Sequence, residues 1–363
     1  MKIALWGFYG HNYGDDVMLN IIIDYCLKSN IDVEVIDMFD GCLKETLKLK
    51  SVKVFNWKNS NKFEKINKLI RLSKNNVINI WGGGTIFTDT EGDGNYKIFK
   101  IIKILGGKFG YLGVGIGKLT SKSRINKTSY LLGKSEITVL RDEDSYNRSH
   151  KYSSNNDKLY LAEDLSFIYF DKLEKNIPII KKDSYILITW RNLRNYMSSS
   201  EENILMKKVV DYSIRLKKNK GYKKIVLLAI NSVSDTKSCI ELKTIFSNRG
   251  EEVVFNENSS IVNITKVISE ASFHFSGRLH GSVASEYYKI PTLSLSYSPK
   301  IEYFYKSINR NNFVDIFKEE ITFDLIDKIT MDNQTIDFKE KVKSAHLNFD
   351  YLDNYLNKGK RHE

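Results

Sequence analysis

The sequence predicts an α/β protein made of two Rossmann-like domains facing a central cleft, and three observations predict it. Short apolar runs alternate with helix-period segments along most of the chain, glycine clusters follow directly on several of those runs, and the alternation restarts near the middle. Such alternation implies mostly parallel sheets covered on both faces. The length of 363 residues agrees, because single cores stop growing near about 250–300 residues.

In order, residues 2–6 read as a buried strand, 7–14 as a glycine-rich turn, and 15–29 as a helix with Val17, Ile21, Tyr25 and Leu27 as apolar positions. Strands follow at 33–37, 77–81, 109–114 and 137–140, with helices near 96–105 and 121–132. The charged stretch 171–182 carries Pro178, one of 3 prolines, and marks a domain boundary. The second half reads strand 185–189, helix 201–218, strand 224–229, helix 236–247, strand 252–255, helix 261–270, strand 272–275, helix 279–288 and strand 292–295. Val342, Ala345, Phe349, Leu352 and Leu356 then recur at three- and four-residue spacing, an apolar stripe on a C-terminal helix expected to cross back onto the first domain. The expected domains are 1–175, 176–335, and a helix with tail at 336–363.

Hydrophobic residues at 42% and charged residues at 28% describe a globular rather than a disordered chain. The longest apolar runs, such as 225–230, are too short to cross a bilayer, and Met1-Lys2 leads straight into a strand, so a cytoplasmic protein without signal peptide is expected. Cys26, Cys42 and Cys239 lie far apart with no C-x-x-C spacing, which argues against a zinc site or a disulfide framework. A net charge of +12 points to an anionic partner: a nucleic acid, a phosphate-bearing substrate or the inner face of a membrane. A lysine-rich composition inherited from an AT-rich genome gives the same number without any partner. No nucleic-acid motif is visible, which leaves nucleic acid the weakest of the three.

Three segments carry chemistry. Gly7 to Asp16 joins the first strand to the first helix, with Asn12, Gly14, Asp15 and Asp16 at its end. A helix N-terminus offers free N–H groups, but two carboxylates there repel phosphate, so they suit capping, hydroxyl binding or general-base work. Gly82, Gly83 and Gly84 follow the 77–81 strand; three glycines in a row imply that the backbone comes close to something. Ligands of open parallel sheets bind beyond the carboxyl ends of the strands, so both loops are expected to line one crevice. In the third segment, Ser276-Gly277-Arg278-Leu279-His280, a strand turns into a helix; Arg278 supplies a two-pronged donor for an anion and His280 a proton near neutral pH. His274 lies inside the apolar strand and reads as a satisfied interior residue. Arg191, at the end of strand 185–189, is a plausible second cation or an exposed strand-end residue. Tyr9, Tyr13, Trp190 and Tyr196 suit either sugar stacking or ordinary packing.

Together these segments resemble the polysaccharide pyruvyl transferase family. Gly7 to Asp15 resembles its G-x-x-G-x-x-N-x-G-D signature, one residue tighter between Gly10 and Asn12; Gly82 to Asp89 is similar to its glycine-triplet loop, and Arg141-Asp142-Glu143-Asp144-Ser145 to its R-D-x-x-S segment. Glu163-Asp164, Ser276-Gly277-Arg278-Leu279-His280, Ile290-Pro291 and Tyr297-Ser298-Pro299-Lys300 continue the likeness in order. The resemblance implies a GT-B-like fold and phosphoenolpyruvate as donor, with Arg278, the Leu279 backbone and His280 holding or activating it. It implies no metal or other cofactor. Ser276, Gly277 and Arg191 are expected to complete the donor site; Asn12, Gly14, Asp15 and Gly82 to Gly84 the acceptor side; and His280, Arg278, Asp15 and Asp16 the catalytic set. The expected reaction adds a pyruvate ketal to a bacterial surface glycan or its lipid-linked precursor, with peripheral contact to an anionic membrane. The alternatives are an inverting glycosyltransferase using a nucleotide-activated sugar, and a catalytically silent scaffold.

Overall fold

The structure, a computed structural model, describes residues 2–39, 52–153, 156–176, 184–257, 260–332, 334 and 336–360. Cys42, Pro178 and the 177–182 part of the expected linker lie outside the described residues. The chain divides into two compact units: Met1–Gly10 with Gly14–Lys172 and Phe338–Glu363, and His11–Tyr13 with Leu173–Asp337.

In chain order the first unit contains β1 (Lys2–Trp6), α1 (Tyr13–Lys28), β2 (Asp32–Asp37), β3 (Lys53–Asn56), α2 (Lys62–Leu72), β4 (Val77–Gly82), β5 (Thr85–Phe87) and α3 (Tyr96–Ile104). It continues with β6 (Lys108–Ile116), α4 (Lys122–Lys134), β7 (Thr138–Leu140), α5 (Glu143–Tyr152), β8 (Leu159–Leu161) and the start of α6 (Ser166–Asn176). The strands order β3-β2-β1-β4-β6-β7-β8, all parallel, with β5 paired to β6. β1 and β4 are buried on both faces, which is why they read as unbroken apolar runs. One polar residue sits among them at no cost: Asn79 accepts from the Trp6 indole at 3.1 Å and donates to the Leu72 and Lys108 carbonyls at 2.9 and 3.0 Å.

The first helix buries Val17, Met18, Ile21 and Ile22, whereas Leu27, expected on that face, is 44% exposed. At 100° per residue it falls off the stripe. β3, β5, β8, α2, α5 and α6 are not among the expected elements, and α6 carries the chain as helix into the charged stretch read as the boundary; β3 is short and largely exposed, and α2 turns only Leu69 and Leu72 to the core. The C-terminal helix α13 (Lys339–Lys360) buries Ala345, Phe349, Leu352 and Leu356 in the first unit, with the Phe349 ring stacked 4.2 Å from that of Tyr25. Its Asn348 amide donates to the Glu163 carbonyl at 3.0 Å, and Lys341 pairs with the Glu163 carboxylate at 2.6 Å.

The second unit runs β9 (Tyr185–Thr189), α7 (Ser199–Lys220), β10 (Lys224–Leu228), α8 (Thr236–Ser247), β11 (Val254–Asn256), α9 (Ile261–Ser269) and β12 (Phe273–Ser276). It closes with α10 (Leu279–Tyr287), β13 (Thr292–Ser296), α11 (Pro299–Ser307), β14 (Phe313–Asp315) and α12 (Phe323–Met331). The sheet is parallel throughout, in the order β11-β10-β9-β12-β13-β14. α7 starts at a reciprocal cap between Ser198 and Glu201 and stops at Gly221, whose φ of 68° closes the last turn. Cys26 and Cys239 are buried, and burial pushes both thiols up to about 12. Among the described residues no helix is long and apolar enough to cross a membrane.

Candidate functional site

In the second sheet the strand order reverses between β9 and β12, so the crevice beyond their carboxyl ends is its topological switch point. Arg191 follows β9, and Ser276, Gly277 and Arg278 close β12. Gly277 lets the two strand ends touch: its N–H donates to the Thr189 carbonyl at 2.7 Å, and a Cβ there would sit 2.9 Å from that oxygen and from the Arg191 nitrogen. The chain leaving β9 is pinned by the buried Glu202, whose carboxylate accepts from the Trp190 indole at 3.0 Å and the Leu193 N–H at 2.9 Å. Trp190 is thereby a packing residue, and so are Tyr9 and Tyr13, both buried. Only Tyr196 of the four aromatics joins the site.

Three cations converge on Tyr297 at this edge. Arg191 donates to the Tyr297 hydroxyl at 2.8 Å and to the Tyr196 hydroxyl at 3.0 Å, and its guanidinium lies 4.4 Å from the Tyr297 ring centre. Lys300 Nζ is 5.1 Å from the same ring. Burial opposes ionisation of the Tyr297 phenol, but Lys300, Arg191 and Arg278 together outweigh it and hold the group below its ordinary value.

Arg278 occupies the N-cap position of α10 in extended conformation. Its side chain is already held: Nε donates to Asp235 Oδ2 at 3.0 Å, Nη2 reaches Asp235 Oδ1, and Nη2 donates to Ser234 Oγ at 2.6 Å. Asp235 is fully buried and also accepts from the Asn231 N–H at 3.1 Å and the Ser234 hydroxyl at 2.8 Å. Sequence reasoning missed this partner; the one signal available was that an arginine at the edge of a core requires a carboxylate. Leu279 and His280 open α10, partly exposed. Beneath them the Ser276 hydroxyl donates to the Arg278 carbonyl at 3.0 Å, and a hydroxyl chain runs through Ser282 and Ser294 to Tyr305. His274 is the interior residue its strand implied, bonded to Thr189 Oγ1 at 2.9 Å and Ser285 Oγ at 2.7 Å, and burial lowers it to about 3.

In the first unit the switch point falls between β1 and β4, so the 7–10 turn and the Gly82 to Gly84 loop share one edge. The Tyr9 hydroxyl donates to the Trp6 and Gly82 carbonyls at 2.9 and 3.1 Å. The Gly10 N–H donates to Asp16 Oδ1 at 2.6 Å. Burial pushes the Asp16 carboxyl up to about 8; the Gly10 bond opposes the shift and the neighbouring Asp15 carboxylate adds to it. Asp15 is buried, and a Cβ on Gly84 would come 3.2 Å from its Oδ1. What the glycine triplet approaches is largely the protein itself. A Cβ on Gly82 would meet Ile22 at 2.5 Å and the Tyr9 hydroxyl at 2.6 Å, and one on Gly83, at φ +75°, would collide with Met18. The triplet lets β4 end flush against α1.

Asn12, expected among the N-terminal domain's acceptor residues, groups instead with the second unit. The Tyr13 N–H donates to the Ile230 carbonyl and the Ser232 N–H to the His11 carbonyl, each at 2.9 Å, around an Asn12–Asn231 bridge. The R-D-x-x-S segment is structural: Arg141 pairs with buried Asp164 at 2.9 Å and donates to Thr85 Oγ1 at 2.8 Å, while Asp142 caps α5 through the Ser145 N–H at 2.7 Å. Among the described residues no group of three or more His, Cys, Asp or Glu side chains is placed to hold a metal ion.

No curated protein matches the chain. Among solved structures, UDP-GlcNAc 2-epimerase from Methanocaldococcus jannaschii is 14% identical with a TM-score of 0.68, over 98% of this chain and 100% of that one. The Rickettsia bellii UDP-N-acetylglucosamine 2-epimerase is 12% identical with a TM-score of 0.67, over 99% and 96%. Anabaena Alr3699/HepE in complex with UDP-glucose is 11% identical with a TM-score of 0.57, over 98% and 94%. At such identities the likeness is one of fold, and the fold is GT-B-like. The family model of polysaccharide pyruvyl transferase matches residues 12–299, a span that contains Asp15, Asp16, the Gly82 to Gly84 loop, Arg191, Asp235 and the Ser276 to His280 turn. On that match, the chain belongs to the polysaccharide pyruvyl transferase family.

Proposed function

We propose that the protein transfers the enolpyruvyl carbons of phosphoenolpyruvate to a saccharide as a pyruvate ketal, and that the β9/β12 edge of the second unit binds the donor. The observation that carries this reading is the convergence of Arg191, Arg278 and Lys300 on Tyr297 beside the N-terminus of α10. Phosphoenolpyruvate bears a carboxylate and a phosphate, two anions that two guanidiniums and a helix N-terminus suit. The Asp235 pair leaves Arg278 fixed in orientation, which lowers the ordering cost of binding.

In the proposed reaction His280 protonates the terminal enol carbon, and one sugar hydroxyl attacks the neighbouring carbon. Phosphate leaves with the bridging oxygen, and a second hydroxyl closes the ketal. Of the two hydroxyl protons released, one offsets the proton that His280 gives to carbon and the other leaves on the phosphate; Asp15 or Asp16 is assigned to accept from the acceptor. The reaction needs neither an electron carrier nor a metal. The acceptor class is a glycan or lipid-linked saccharide of a bacterial surface polymer. A second reading, a nucleotide-sugar glycosyltransferase, is favoured by the solved neighbours, which include a UDP-GlcNAc 2-epimerase in complex with UDP-GlcNAc and UDP and Alr3699/HepE in complex with UDP-glucose.

Thermal shift separates the two. A ligand at a hundred times its dissociation constant stabilises by about 2.7 kcal/mol. Phosphoenolpyruvate is expected to raise Tm by a few degrees, Lys300→Ala to reduce that shift, and His280→Ala to retain it while abolishing turnover. Stabilisation by UDP-sugars with none by phosphoenolpyruvate would transfer the assignment to the glycosyltransferase.

A further inference from the structure

In the first unit α2 has two apolar faces. Leu69 and Leu72 point into the core, while Phe63, Ile66 and Ile70 recur at three- and four-residue spacing on another side and stand 78%, 44% and 54% exposed. The adjacent α3 repeats the arrangement: Phe99 and Ile102 are buried, and Ile101, Ile104 and Leu105 at its end are exposed, Ile104 by 70%. The two helices pack against one another, and both cross over in the same direction along the parallel sheet, which sets them on one face. Scattered exposed apolar residues are ordinary, whereas six on two neighbouring helices form a patch that marks an interaction surface.

The exposed charge on the two helices is mainly basic, and the acids beside them, Glu34, Asp93 and Glu136, are paired with lysines. Lys62, Arg71, Lys74, Lys97 and Lys100 are exposed, and the only acid on either helix, Glu64, is occupied in the capping box with Asn61. Lys97 and Lys100 share the α3 face of Ile101 and Ile104, and Lys100 Nζ lies 5.4 Å from the Tyr96 ring. Lys68 and Lys103, by contrast, are paired with Glu34 and Glu136 and turn away from this role. An apolar stripe rimmed by lysines suits a surface that is apolar below and anionic above.

We infer that the α2/α3 face of the first unit is a peripheral docking surface for an anionic phospholipid bilayer: the exposed isoleucines and Phe63 enter the headgroup boundary, and the lysines meet the lipid phosphates. The inference is independent of which donor the second unit takes, and its test uses no substrate.

The test is co-flotation of the purified full-length chain with phosphatidylcholine vesicles carrying about one-third phosphatidylglycerol, against pure phosphatidylcholine. The protein is expected to float with the anionic vesicles and to release as salt rises. The double variant Lys97→Gln, Lys100→Gln is expected to bind on the order of 25-fold more weakly, from about 5-fold per lysine near the surface. Phe63→Ser with Ile104→Ser is expected to lose flotation at unchanged Tm, since both side chains are exposed. A control pair on the second unit, Lys218→Gln with Lys243→Gln, should stay within about two-fold of the parent, because neither lysine lies on the α2/α3 face. Absence of flotation with anionic vesicles, or equal flotation of the α2/α3 variants and the parent, overturns the inference. So does a dimer in solution that Phe63→Ser dissociates, because the patch then belongs to a second copy of the chain.

Discussion

Arg278, the proposed donor-binding residue, illustrates how a side chain is set by its partner. Asp235 has no exposed surface and spends its carboxylate on Arg278, Ser234 and the Asn231 N–H, so the guanidinium is aimed before any ligand arrives. Removing one member of a buried pair costs about 3–5 kcal/mol. Asp235→Ala is therefore expected to lower stability to urea by that order and to weaken phosphoenolpyruvate binding together with it. Asp16 makes a pH prediction. Its folded carboxyl titrates near 8, above the unfolded value, so between those two values the folded state holds a proton that the unfolded state has lost. Its effect is to reduce stability as pH rises from about 4 to about 8. Asp16→Asn keeps an acceptor for the Gly10 N–H and should flatten the fall of Tm over that range, measured by pH-dependent melting. If Asp16 is the general base, the activity of the parent rises through the same window and that of the variant does not.

At the scale of elements, two glycines decide how strands meet their neighbours. Gly277 permits β9 and β12 to close together at their carboxyl ends, and Gly83 permits β4 to end against α1. Gly83→Ala adds a methyl where Met18 stands and a side chain at φ +75°, which should cost on the order of 1–3 kcal/mol by denaturant titration. At the Gly82 to Gly84 triplet the sequence indicated that something lay close. It left open whether that something was a ligand or the protein's own helix, because a missing side chain looks the same in either case.

For the whole molecule the informative element is α13, whose Ala345, Phe349, Leu352 and Leu356 are buried in the first unit although they follow the second in the chain. Leu352→Ala is expected to cost about 2–5 kcal/mol, read as a lower urea midpoint. Truncation after Asp337 should leave the first unit with an open apolar face and insoluble on expression.

Periodicity and composition determined the α/β class, most of the strands and the C-terminal stripe, since each depends on a local repeat that burial imposes on the sequence. They also singled out the Arg278–His280 turn as a candidate, because a strand passing through glycine into a helix would set a two-pronged cation and an imidazole at a helix N-terminus. Contacts distant in the chain were decided only by the tertiary structure. Asp235 meets Arg278 across 43 positions, Asn12 pairs with the 231 loop, and α2 presents Phe63, Ile66 and Ile70 outward. Such pairings carry no period, and a carboxylate two loops away looks like any other acidic residue until the fold brings a guanidinium to it.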